Sequence, residues 1–110
     1  MNKVFIMGRL TKDPELKKTP SGVSVVSFTV AVDRKYKDDA GIHPTDFINC
    51  VAFSYTADFL NKFFVKGQLI VVIGSLQTRT WEDSDGNKKY VTEVIVSEVQ
   101  FTGDNRSQER

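Results

Sequence analysis

The chain has 110 residues, enough for one compact domain with a modest core. Two fifths of them are apolar, which excludes a disordered chain. The formal net charge is only +1, which excludes recognition by bulk charge and makes any basic footprint a local one.

The first apolar run, residues 4–10, reads as a strand, closed by Lys12, Asp13 and Pro14. Pro20, Ser21 and Gly22 mark a turn. Val26, Phe28, Val30 and Val32 then alternate with Ser27, Thr29 and Ala31, giving a second strand with one buried face. Residues 34–45 are polar, contain Gly41 and Pro44, and read as a long exposed hairpin connection. The third strand, 47–53, is apolar on both sides. Ile48, Cys50 and Ala52 line one face, and Phe47, Val51 and Phe53 the other. Such a strand lies between two layers or displays aromatics to a partner.

The period then changes. Phe59, Leu60, Phe63 and Phe64 recur at helical spacing within 55–67. Thr56 is read as the N-cap, Asp58 and Lys66 as complements to the helix dipole, and Gly67 as a left-handed stop. A fourth strand begins near Leu69 and runs towards Trp81. Asp85-Gly86 predicts a tight turn, and a fifth strand, 90–101, returns beside it. Residues 104–110 are expected to form a loose tail after a single domain over 1–103. Three strands, one helix and two strands is the order expected of an all-β OB-fold, a five-stranded Greek-key barrel with one helix between strands 3 and 4; that order alone also fits other small α+β or barrel folds.

Two groups of bases stand out. Lys3, Arg9, Lys12, Lys17 and Lys18 face Asp13 and Glu15 in the N-terminal stretch. Arg34, Lys35 and Lys37 are offset by Asp33, Asp38 and Asp39. Charge alone reads both groups as ordinary solvated surface. On the fourth strand Trp81, Arg79, Gln77 and Ser75 share one parity, so Trp81 points away from the face carrying Leu76. It is either a stacking platform or a cap on the barrel edge. Phe47 and Phe53 share a face. With Tyr36 and Trp81 they make a possible aromatic track for nucleobases; the alternative is that both fill the core.

Enzymatic chemistry finds little support. His43 and Cys50 are the only residues of their types, so the usual zinc clusters are excluded. Asp83, Asp85 and Asn87 have the spacing that opens a calcium loop. Lys88 stands where its glycine belongs and Val94 where its closing glutamate belongs, so the tight turn accounts for those acids better. No phosphate loop or nucleophile motif is present. Cys50 forms no intrachain disulfide and reads as a small core residue. No apolar run is long enough for a membrane span and no signal-peptide pattern opens the chain, so a cytoplasmic setting is expected.

Asn2-Lys3-Val4, Gly8-Arg9-Leu10, Asp13-Pro14-Glu15, Phe47-Ile48-Asn49-Cys50-Val51, Lys66-Gly67, Thr78-Arg79-Thr80-Trp81 and Tyr90-Val91-Thr92-Glu93 follow one another at informative spacing. In that order they resemble the bacterial single-stranded DNA-binding protein family over 1–103, with most similarity to low-GC Gram-positive members. The resemblance implies an OB-fold, usually in a homotetramer, that binds single-stranded DNA without cofactor, metal or catalysis and serves replication, recombination and repair. It implies stacking by Tyr36, Phe47, Phe53 and Trp81. It implies phosphate or base contacts by Lys3, Arg9, Arg34, Lys35, Lys66, Arg79 and Lys89. Many members carry Trp at the positions of Tyr36 and Phe47, and some carry His at that of Ile48. Members usually end in an acidic tail that recruits replication and repair enzymes; these 110 residues contain none, which fits a shortened chain or a member without that function, and tail-dependent partners are not expected of them. An OB-fold interaction module of a replication-restart complex is the alternative reading. A nuclease would need clustered acids or a metal.

Overall fold

The computed structural model describes residues 1–103; the expected loose tail, 104–110, lies outside the described residues. The elements are β1 (Val4–Leu10), β2 (Lys17–Lys18), β3 (Ser24–Asp33), β4 (Thr45–Phe53), α1 (Ser54–Phe63), β5 (Leu69–Glu82) and β6 (Lys88–Phe101). The five expected strands are all present, and β2 is an addition of two residues paired with β3 at Val25 and Ser24.

The sheet runs β1-β5-β6-β4-β3-β2, and β1 also pairs with β3. Five strands therefore form a ring, with β2 attached outside it. The seams are uneven. β5 and β6 form a long antiparallel hairpin arm, whereas β4 and β6 meet in parallel only at Cys50 with Val94 and Val51 with Ile95. This is the partly open Greek-key ring of an OB-fold, with its helix between β4 and β5.

The alternation in β3 sets its faces as the sequence predicts. Val26, Phe28 and Val30 are buried and Ser27 is exposed. Cys50 and Ala52 of β4, Ile70 and Val72 of β5, and Val94 and Val96 of β6 complete the core from the same side of the ring. α1 fills one end of it with Ala57 and Leu60, both fully buried.

The helix ends differ from expectation. α1 begins at Ser54 after Phe53, whose extended backbone serves as N-cap with no side-chain cap bond; Thr56 lies inside the helix. Its first turn holds no acid, and Lys62 rather than Lys66 occupies its last turn. Phe64 leaves the helix in extended conformation and is fully buried, its ring stacked on Phe101 at 4.8 Å. Burying that ring outweighs another helical turn. Gly67, at φ +82°, serves the following turn instead, and its N–H donates to the Leu10 carbonyl at 2.8 Å. The helical stripe is accordingly narrower than its pattern: Leu60 and Phe64 are buried, Phe59 is half-buried and Phe63 is exposed.

Candidate nucleic-acid interface

Strand pleating turns alternate residues outward, and on β4 the outward set is Phe47, Asn49, Val51 and Phe53. Phe47 is 66% exposed and Phe53 44%, so neither ring fills the core. The β3–β4 register sets Ala31, Thr29, Ser27 and Val25 opposite these four. The resulting face carries small side chains on β3, polar at Thr29 and Ser27, and is aromatic at both ends of β4. At its centre the Thr29 hydroxyl donates to Asn49 Oδ1 at 3.1 Å.

The β5–β6 arm supplies a second wall. Its register pairs Gln77 with Glu93, Arg79 with Val91, and Trp81 with Lys89. Between this wall and the β3–β4 face runs a groove lined by Thr11, Lys12, Asp13, Glu15, Ser27, Thr29, Asn49, Val51, Arg79, Val91 and Glu93. Its lining mixes acids and bases, in keeping with the nearly neutral chain. Arg79 Nε donates to Glu93 Oε1 at 3.0 Å, and the guanidinium lies 5.3 Å from the centre of the Trp81 ring system. Trp81 is 46% exposed, so the edge-cap alternative does not hide the indole.

Phe47 lines a second groove instead, with Met7, Arg9, Ala31, Thr45 and Leu69. Arg9 reaches back to the Gly67 carbonyl through Nη1 at 2.9 Å. Tyr36 stands on the 34–44 connection, strongly exposed, with Lys35 Nζ 5.9 Å from its ring centre. Arg34 is engaged with Asp46. That contact raises the Arg34 pKa and holds the Asp46 carboxyl below its usual range, chiefly through the hydrogen bond between them. Lys89 lies 3.7 Å from Asp83 Oδ2. Lys66 and Lys3 are exposed and line neither groove; the Lys66 backbone N–H donates to Asp13 Oδ1 at 2.7 Å.

Of the predicted residues the structure thus brings Arg79 and Trp81 together on the hairpin arm, Arg79 lining the main groove; Phe47 lines the second groove, and Phe53 is exposed at the other end of the β4 face. It sets Tyr36 with Lys35 on a separate projection. The sequence reading omitted Asn49, Thr29, Lys12 and Glu93 from the site. Asn49 had a usable signal, since it shares parity with Phe47 and Phe53. The polar groove residues on different elements had none, because only the ring brings them together.

Cys50 lies behind this face, almost wholly buried, and burial pushes its thiol up to about 12. Asp83 has a turn role: its Oδ1 accepts the N–H groups of Asp85 and Asn87 at 3.0 and 2.9 Å. Gly86 sits there at φ +80°, as the tight-turn reading requires. Among the described residues, no helix is long and apolar enough to cross a membrane.

A second outward surface was not anticipated. Phe5 and Met7 of β1 are exposed and stand opposite Ile73 and Val71 of β5. Val4 and Ile6 pack against the core, so β1 is apolar on both faces, as β4 is.

Comparison with known proteins adds lineage to this geometry. Over 101 residues, 92% of its length, the chain is 50% identical to single-stranded DNA-binding protein 1 of Staphylococcus aureus strain COL. Over the same share it is 48% identical to single-stranded DNA-binding protein 3 of Listeria innocua and to a single-stranded DNA-binding protein of Bacillus cereus. It spans 60%, 63% and 59% of those three relatives' lengths. The family model of the single-strand binding proteins matches residues 1–102, nearly the whole described ring. With that match and those identities, the chain belongs to the single-strand binding protein family.

Proposed function

We propose that this chain binds single-stranded DNA without sequence specificity, protecting it during replication, recombination and repair. The observation that carries this reading is the exposure of aromatic rings beside a groove that Arg79 lines: Phe47 and Phe53 on the outward face of β4, and Trp81 on β5. Every base has a π-face, so stacking tolerates any sequence, at about 1–3 kcal/mol per base. Tyr36, Phe47, Phe53 and Trp81 stack bases. Lys3, Arg9, Arg34, Lys35, Lys66, Arg79 and Lys89 meet phosphates or base edges, with Arg34 the least available because Asp46 holds it. Residues 1–103 make up the binding domain, which needs no cofactor or metal, acts without catalysis, and works in the cytoplasm at the nucleoid.

The assembled form is a homo-oligomer, a tetramer in our reading. Its support is the apolar patch of exposed Phe5 and Met7 with half-buried Val71 and Ile73 opposite them. Contiguous apolar surface of this kind is usually covered in solution. A Phe5→Glu, Met7→Glu protein should sediment as a smaller species than the parent.

Trp81 is the only tryptophan, so titration with oligo-dT can be followed by quenching of its fluorescence. The expected result is saturable quenching that weakens with salt as counterions are released. Folded protein that shows no quenching and no mobility shift at low salt would overturn the reading. Labelled strand incubated with magnesium or calcium should stay intact; cleavage would make the protein a nuclease.

A further inference from the structure

The groove carries a carboxylate where an anionic strand is to lie. Glu93 is only 8% exposed and shares the groove lining with Arg79 and Asn49. Burying an acid there costs free energy and works against phosphate binding, so its local role has to offset both.

Its geometry indicates that role. Glu93 Oε1 accepts from Arg79 Nε at 3.0 Å, along the side edge of the guanidinium. The hairpin register sets Glu93 diagonally from Arg79 on one face, with Trp81 one pleat further out. Arg79 then lies over the Trp81 ring system, its side chain 61% exposed. Among the described residues, its two terminal nitrogens make no other hydrogen bond. Arg34 is the contrast: Asp46 takes both its Nε and its Nη2.

We propose that Glu93 is a positioning residue for strand binding, holding Arg79 by its Nε edge over Trp81 so that the terminal nitrogens face the strand. This rests on the groove's being a single-strand site. An unrestrained arginine gives up rotamer freedom when it binds; one already clamped gives up less. The pair as a whole is neutral, so it supplies direction rather than charge. The cation over Trp81 also occupies one face of the indole and leaves the other to a base.

The test is a double-mutant cycle on the full chain, read as Kd for oligo-dT by fluorescence quenching, with thermal melts to establish folding. Glu93→Ala should weaken binding about fivefold in the parent background and less than about twofold in an Arg79→Ala background. Glu93→Gln keeps an acceptor oxygen and should recover most of the loss. Should Glu93→Ala not fold, Glu93→Asp withdraws the carboxylate by one methylene and runs the same cycle. An equal loss in both backgrounds overturns the proposal, since Glu93 would then act independently of Arg79. Tighter binding by Glu93→Ala overturns it too, since the acid would then only repel the strand. If the parent protein binds no oligo-dT, the functional reading falls and this proposal with it. If the parent binds, Trp81→Ala weakens it and the cycle is additive, this proposal alone falls.

Discussion

Arg34 and Asp46 close the base of the 34–44 connection with a two-pronged ion pair, Nε to Oδ2 at 3.0 Å and Nη2 to Oδ1 at 2.9 Å. The Arg34 backbone N–H donates to the Pro44 carbonyl at 2.8 Å, and the Thr45 hydroxyl donates to Asp33 Oδ1 at 2.6 Å. Together these bonds anchor the projection that carries Tyr36. An arginine held this way is a structural clamp before it is a phosphate ligand. Lys35→Ala should lower the salt dependence of strand binding by about one phosphate equivalent. Arg34→Ala should lower it by clearly less, while raising protease sensitivity within 34–44. Equal slopes for the two variants would refute the distinction.

The same pair predicts a pH dependence. Arg34 depresses the Asp46 pKa from its ordinary value of 3.8, so the folded state binds that proton less readily than the unfolded chain. The pair's contribution is therefore present above the ordinary value and is lost as pH falls through the depressed one. Both side chains are largely exposed, so the effect is small and screened. Melting curves of the parent and Asp46→Asn should differ at neutral pH and converge only below about pH 4.

Stacking area should order the binding variants. Trp81→Ala and Phe53→Ala should each weaken oligo-dT binding by about tenfold, within the range of one lost stacking contact. Phe47→Trp enlarges an already exposed ring and should tighten binding by about threefold. Equilibrium titration at one fixed salt concentration checks all three. A Phe53→Ala protein with parental affinity would remove that ring from the track.

Gly8 marks the closure of the ring. β1 meets β5 and β3 at once here, and a methyl group on Gly8 would run into the Ala31 carbonyl oxygen and the Val30 side chain. Backbone is not a flexible obstacle, so Gly8→Ala should cost about 3 kcal/mol. Its melting temperature should fall by roughly ten degrees or more. A melt within two degrees of the parent would mean that β1 shifts freely.

Cys50 should be inert and should set an alkaline limit. Burial raises its pKa from 9.0 to about 12, so the folded state keeps a proton that the unfolded chain gives up. Stability from this group is complete below the unfolded value and declines from about pH 9 towards 12 as pH rises, by roughly 1.4 kcal/mol per unit within that window. Cys50→Ala should be less stable than the parent at neutral pH, with the gap narrowing by pH 10.5. Iodoacetamide should modify the native thiol slowly and the denatured one fast.

Much of the fold was legible because side-chain alternation reports directly on burial. Val26, Phe28 and Val30 identified the inner face of β3, and Asp85-Gly86 identified the hairpin turn. The helix ends were less legible. Cap propensities are local, and here a tertiary contact overrode them: Phe64 left the helix to stack on Phe101, 37 positions further along the chain. β2 was missed because two residues paired at a sheet edge leave no periodic trace.

The sequence by itself determined which side chains share a face, since parity along a strand follows from backbone pleating. That is why Phe47 with Phe53, and Trp81 with Arg79, were recognised as pairs. It determined nothing about what lies across from those faces. Only ring closure set the hairpin arm beside β4, made a groove between them and buried Glu93 against Arg79. Those relations join residues on different strands, and they depend on register and sheet curvature, which no local pattern encodes.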